Sequence, residues 1–179
     1  MNEEFLKKLL YTGRISFEKG NFSALGHKFA FIAPEFLVFI GEEFARACAP
    51  KKARAGIFEA AKSMSRGISG EMLRLGIQRK EIPQYMVQIF SAYGWGDANI
   101  LEQDEYGMLV YYKNAPIPSM PDGNNIHRAE ICEFMRGAVA GAFEISANAK
   151  VSCEETRCVL RGDHFCQFNC TIKPASNPR

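Results

Sequence analysis

Five of the six cysteines in this 179-residue chain lie in its last third: Cys132, Cys153, Cys158, Cys166 and Cys170, with only Cys48 apart from them. Thiolates are metal ligands and nucleophiles. Clustered in a reducing compartment, they point to metal ligation or buried thiols rather than to a disulfide framework. The three histidines, His27, His127 and His164, are scattered, so no Ser/His/Asp or Cys/His set can be assembled. No Gly-rich phosphate loop, dinucleotide fingerprint or hydrolase elbow is present. Coordination is the chemistry these residues offer.

Alternation says which of them can meet. In a strand over Lys150 to Thr156, Val151, Cys153 and Glu155 share the apolar face; in a partner over His164 to Ile172, Cys166, Phe168, Cys170 and Ile172 do. Glu155 then faces the core, and a buried carboxylate without a partner is costly. A divalent metal removes the cost, because thiolates and a carboxylate oxygen are all zinc ligands. Cys132, Glu155, Cys158 and Cys166 would make a closed tetrahedral set with no position left for catalysis. Blander assignments compete. Free Cys is often a small buried hydrophobe, Glu155 could pair with Arg136 or face solvent beside Arg157, and His164 could replace it. Cys153 and Cys170 read as buried thiols.

The elements that must hold these residues follow from periodicity. Pro34 opens a helix whose stripe is Leu37, Ile40, Phe44 and Ala47, with Phe36 and Phe39 as a second apolar side. This pattern predicts a helix buried on most of its circumference. A short strand is expected over Lys28 to Ile32, and further helices over Ala53 to Leu75 and Glu81 to Tyr93. Gly67 and Gly70 weaken the former and would mark a kink or close packing. After Gly94-Trp95-Gly96 the period changes, giving a hairpin of Asp97–Glu102 and Gly107–Lys113. A polar loop from Pro116 to Asn124 leads to a helix over Ile126 to Ser146, capped by Asn125 and carrying Cys132. Gly137 and Gly141 on it would let another backbone approach. The pattern is α+β: a helical N-terminal half, then a mainly antiparallel sheet of about four strands with one long helix packed on it. A single domain over residues 1–173 and a flexible tail over 174–179 are expected.

Composition sets outer bounds. Hydrophobic residues make up 47% and charged residues 23%, an ordinary globular balance. The net charge of +2 is too small a bias to make nucleic acid or a membrane surface the main partner. The most apolar stretch, Phe29 to Ile40, is interrupted by Pro34 and Glu35 and is too short for a bilayer. The acidic start Asn2-Glu3-Glu4 does not resemble a secretory signal, so a cytoplasmic protein is expected.

Glu155-x-x-Cys158-x7-Cys166, with Cys132 on the preceding helix, resembles the C-terminal pattern of the 4-vinyl reductase domain family. That family includes phenol- and xylene-sensing input domains, hydrocarbon-binding proteins and a protein linked to bacteriochlorophyll vinyl reduction. Its fold is similar to that of TRAPP trafficking subunits. The resemblance implies a structural zinc on Cys132, Glu155, Cys158 and Cys166, and a homodimer. It runs from about Gly13 to Ile172 and is specific from Cys132 to Cys166. The phenol sensors' upstream Trp falls near Tyr111, and no His stands at their other ligand-gripping position. The expected function is a sensor or carrier domain for a hydrophobic or aromatic molecule, lined by Phe36, Phe39, Phe58, Met64, Met86 and Phe90, with Trp95 and Tyr111 as further candidates. The alternatives are a reductase or accessory factor in tetrapyrrole vinyl reduction, and a dimeric assembly scaffold.

Overall fold

A computed structural model describes residues 7, 11–18, 21–24, 27–29, 34–116 and 129–173. Its central element is a helix with a partner on each side. The four helices are α1 (Pro34–Ala47), α2 (Pro50–Arg74), α3 (Ile82–Ala92) and α4 (Ala129–Ala147). The C-terminal sheet has four antiparallel strands, β4 (Asp97–Gln103), β5 (Gly107–Lys113), β6 (Val151–Arg157) and β7 (Cys166–Ile172), in the order β4-β5-β7-β6. The expected α+β arrangement is therefore what the chain adopts. α4 lies between α2 and the β6–β7 pair, while α3 fills the angle between α4 and β4.

Local chemistry sets the boundaries. Pro50 starts α2, and Ala49 before it is extended (φ −53°, ψ 142°), as the residue preceding proline must be. Gly76 ends α2 at φ 85°, with Ile77 N–H donating to Met72 O and Gly76 N–H to Leu73 O. That pair of bonds satisfies two carbonyls the helix end leaves free. α3 stops the same way at Gly94 (φ 84°), where Trp95 N–H donates to Phe90 O. The motif folds the residue after the glycine back on the last turn, and Trp95 meets Phe90 edge-on at 6.4 Å between centroids.

The sheet keeps strict alternation over β5, where Met108, Val110 and Tyr112 are buried. Their neighbours across β7 are Cys170, Phe168 and Cys166, all buried on the same face. With Ile131, Met135, Val139 and Phe143 of α4 they form the core.

Several expectations need correction. The N-terminal half is not purely helical: β1 (Ile15–Glu18), β2 (Asn21–Ala24) and β3 (His27–Phe29) make a separate antiparallel sheet. The strand expected over Lys28 to Ile32 is β3 by its first two residues, and 30–32 lie outside the described residues. Strands of three or four residues carry too little alternation to be recognised. The outward side of α1 is not covered within the chain, since Phe36, Phe39 and Phe44 are all about half exposed. α2 runs unbroken past Gly67 and Gly70, and a Cβ at either would meet nothing within 4 Å. Close approach occurs instead at Gly137 and Gly141, whose Cβ positions fall 2.3 Å from Phe58 O and 2.4 Å from Lys62 O. The Pro116 to Asn124 loop beyond its first residue, the Asn125 cap and the tail lie outside the described residues.

Candidate metal centre

Cys132 comes from the first turn of α4, Glu155 from β6, Cys158 from just beyond it, and Cys166 from the start of β7. A plain strand cannot bring Glu155 and Cys158 to one face, because residues three apart point to opposite sides. The structure resolves this with a bulge. Glu155 pairs with Phe168 but Arg157 pairs with Gln167, so Thr156 is the extra residue and the parity changes behind it. The shifted register carries Cys158 to the side of Cys166.

The turn after β6 then fixes Cys158 in place. Asp163 accepts a hydrogen bond from Cys158 N–H at 2.8 Å, and Arg161 N–H donates to Cys158 O at 2.9 Å. Gly162 closes the turn at φ 94°. Sequence reasoning missed Asp163 and the bulge. The Arg161-Gly162-Asp163 turn signal and the odd Glu155–Cys158 spacing were the only traces of them.

One ligand atom from each of the four residues lies within 4.8 Å of all the others. Donors about 2.3 Å from a tetrahedral centre stand about 3.8 Å apart, so little contraction is required. Cys132 and Cys158 sulfurs are already 3.5 Å apart. Glu155 Oε1 is buried and has no hydrogen-bond partner among the described residues. Arg136 does not supply one; it pairs with Glu133 and donates to Cys153 O at 2.7 Å. His164 is exposed and Arg157 stands over the Phe165 ring. The competing assignments for Glu155 therefore fail on geometry.

The electrostatics are those of too many acids in one place. Hydrogen bonds from Cys132 and Cys166 pull the Cys158 thiol down to about 2. The hydrogen bond to Cys158, then that to Cys166 and burial, push Cys132 up. At Cys166 a hydrogen bond with Cys132 lowers the value, but the one with Cys158 and burial outweigh it and raise it to about 12. Burial, then the Cys158 charge, raise Glu155 to about 7. One negative charge settles on Cys158 and the other three groups hold their protons. A dication suits this set, since three thiolates and a carboxylate are tolerable together only around one.

The remaining candidates do not line one chamber. Met86 and Phe90 are buried and border a narrow apolar seam with Met108, Tyr112, Val139 and Ala142, enclosing about 10 Å³. Trp95 closes one end, stacked on Phe134 at 4.5 Å. Phe58 sits on the far side of α4, with the Arg136 guanidinium 4.1 Å above its ring. Tyr111 points to the outer face of the sheet beside Phe165. Phe36, Phe39 and Met64 are exposed at 48%, 53% and 39%. No described helix is long and apolar enough to cross a membrane.

Comparison with known proteins places these observations. Residues 125–172 match the vinyl-4-reductase domain family. An uncharacterised protein of Methanocaldococcus jannaschii is 32% identical over 79 residues, covering 40% of this chain and 46% of that protein, so the alignment spans about half its length. Among solved structures, the phenol-responsive sensory domain of the transcription activator PoxR, with phenol, superposes at a TM-score of 0.76 and 11% identity. That match covers 96% of this chain and 92% of the other. A vinyl-4-reductase family protein from M. jannaschii gives 0.54 at 20% identity, covering 84% and 87%. A trafficking protein particle complex subunit 3 from Naegleria fowleri, covalently bound to palmitic acid, gives 0.55 at 16%, covering 79% and 95%. Residues 125–172, which contain all four candidate metal ligands, thus match a vinyl-4-reductase domain, and the likeness of fold to the PoxR sensory domain extends over nearly the whole chain.

Proposed function

We propose that the chain is a small-molecule-binding domain for a hydrophobic or aromatic ligand, with a structural zinc on Cys132, Glu155, Cys158 and Cys166. The observation that carries the zinc is the partnerless Glu155 oxygen set among three thiols. With all four positions filled by protein, the ion would cross-link α4 to the β6–β7 turn and activate no water. The ligand reading rests on the fold shared with a phenol-responsive domain and on the apolar seam between α3, α4 and the sheet. α4 is common to both: one end carries Cys132 and its middle, at Val139 and Ala142, walls the seam.

At about 10 Å³ the seam has room for roughly one water. A ring would enter by displacing Met86 and Met108, whose unbranched side chains repack easily. Tyr112 is the one lining residue with a polar side-chain group, and the rest of the wall is apolar. Such a lining favours hydrocarbons and simple aromatics over a strict phenol preference. A thermal-shift screen of the zinc-loaded protein with phenols, alkylbenzenes, fatty acids and tetrapyrroles tests this. A ligand at a hundred times its dissociation constant adds about 2.7 kcal/mol. Stabilisation by an apolar class, lost in Val139→Trp, is expected; no shift with any class defeats the ligand reading.

A further inference from the structure

Two cysteines take no part in the metal centre, and they face each other. Cys153 of β6 and Cys170 of β7 are direct cross-strand partners, with their sulfurs 2.7 Å apart. Both are buried, at 4% and 0% exposure. We infer that they form a redox-active dithiol, a modification site at which peroxide makes a reversible Cys153–Cys170 disulfide.

The register makes the bond geometrically easy. Lys173 N–H donates to Lys150 O, which sets the hydrogen-bonded positions of this ladder at alternate pairs. Cys153–Cys170 therefore falls on a non-hydrogen-bonded pair, where antiparallel Cα atoms come to about 4.5 Å. That separation lies within the range disulfides span, about 4.4–6.8 Å. The same register turns the Cys153 carbonyl outward along the free edge of β6, and Arg136 takes it at 2.7 Å. The edge strand is thus held in register by α4 while its inward thiol waits against Cys170. Closing the sulfurs to bonding distance needs side-chain rotation and no strand shift.

Order of reaction follows from position. β6 is an edge strand, whereas β7 is flanked on both sides, so an opening of the edge uncovers Cys153 first. Its sulfur attacks a peroxide oxygen, the O–O bond breaks, and the departing hydroxide takes the thiol proton as water. The Cys153 sulfenic acid is then attacked by the Cys170 sulfur. Its S–O bond breaks, and a second water leaves with the Cys170 proton. Two electrons pass from the sulfur pair to peroxide. The product ties β6 to β7 beyond the proposed metal ligands, so the sheet edge would persist without the ion. The dithiol itself does not depend on that ion.

The test uses the full chain with Cys48→Ser, which removes the exposed thiol. After peroxide treatment and alkylation, mapping should show one new linkage, Cys153–Cys170, reversed by dithiothreitol, with Cys132, Cys158 and Cys166 still alkylatable after denaturation in chelator. The oxidised protein should lose fewer degrees of Tm on chelator treatment than the reduced protein. In Cys170→Ala, a dimedone-type probe should label Cys153, whereas Cys153→Ala should leave Cys170 unlabelled. If either variant fails to fold, linkage mapping and the Tm comparison decide. Absence of a Cys153–Cys170 linkage, its replacement by links to the metal-centre cysteines, or preferential labelling of Cys170 overturns the inference.

Discussion

Cys158 is the residue on which the proposed centre turns, because its charge sets the protonation of its neighbours. At pH 7 the metal-free site holds protons on Cys132 and Cys166 and about half a proton on Glu155. All must leave when a metal binds, so uptake should release about two to three protons per ion. Calorimetry of zinc binding in buffers of differing ionisation enthalpy counts them, and a value near zero would mean that these residues are not the ligands. The same balance makes acid release the ion. Cys158→Ser should remove the metal and cost about 3 kcal/mol or more in chemical denaturation, whereas Cys48→Ser, at an exposed thiol, should change neither. The candidate ligand set was legible in the sequence because thiols and an inward carboxylate are rare partners. The bulge at Thr156 was not, since nothing in Glu155-Thr156-Arg157 marks an extra residue; it shows only in the pairing with β7.

At the scale of elements, the contact between α2 and α4 decides how firmly the site's helix is held. Gly137 and Gly141 allow the carbonyls of Phe58 and Lys62 to touch α4, and Ser65 Oγ donates to Ala138 O at 2.6 Å across the same seam. Gly137→Ala should force the helices apart and destabilise by about 1–3 kcal/mol despite its better helix propensity. Gly67→Ala, in open space on α2, should stabilise by up to about 1 kcal/mol. Urea titrations of the two variants must show opposite signs. Glu144 ties the pair together electrostatically: it accepts from Lys62 at 2.8 Å and from Val151 N–H at 3.2 Å while only 5% exposed. Burial alone would raise its pKa, but Lys62, the Val151 N–H and Lys150 outweigh it and the net direction is down. A carboxyl lowered on folding contributes stability above its unfolded value, about 4.3, and loses it as pH falls through the folded value. Glu144→Gln should therefore cost stability at pH 7 and progressively less as the medium is acidified below pH 4; an undiminished cost would show that the charge is not what matters. Periodicity identified the four helices and the strands of the main sheet because each runs for seven residues or more. The glycines of α2 and α4 look alike in sequence, and only packing distinguishes the open pair from the crowded one.

For the whole molecule, an uncovered apolar face and a proposed metal knot lie at separate places. Phe36, Phe39 and Phe44 occupy the outward side of α1, opposite buried Val38. The helix was expected to be buried nearly all round, and a second copy of the chain would bury it. We expect a homodimer through this face, broken by Phe39→Glu; a monomer mass for the unmutated protein by light scattering at all concentrations would contradict it. The proposed metal knot closes the other end of the layered core, joining the helix that walls the apolar seam to the turn between β6 and β7. If that account holds, the metal is part of the native fold and accompanies the protein through purification. Elemental analysis of protein prepared without chelator is the most direct test. The account predicts one zinc per chain, lost on replacing Cys158. Folded protein with no bound metal, or with a Cys158–Cys166 disulfide under full reduction, would contradict it.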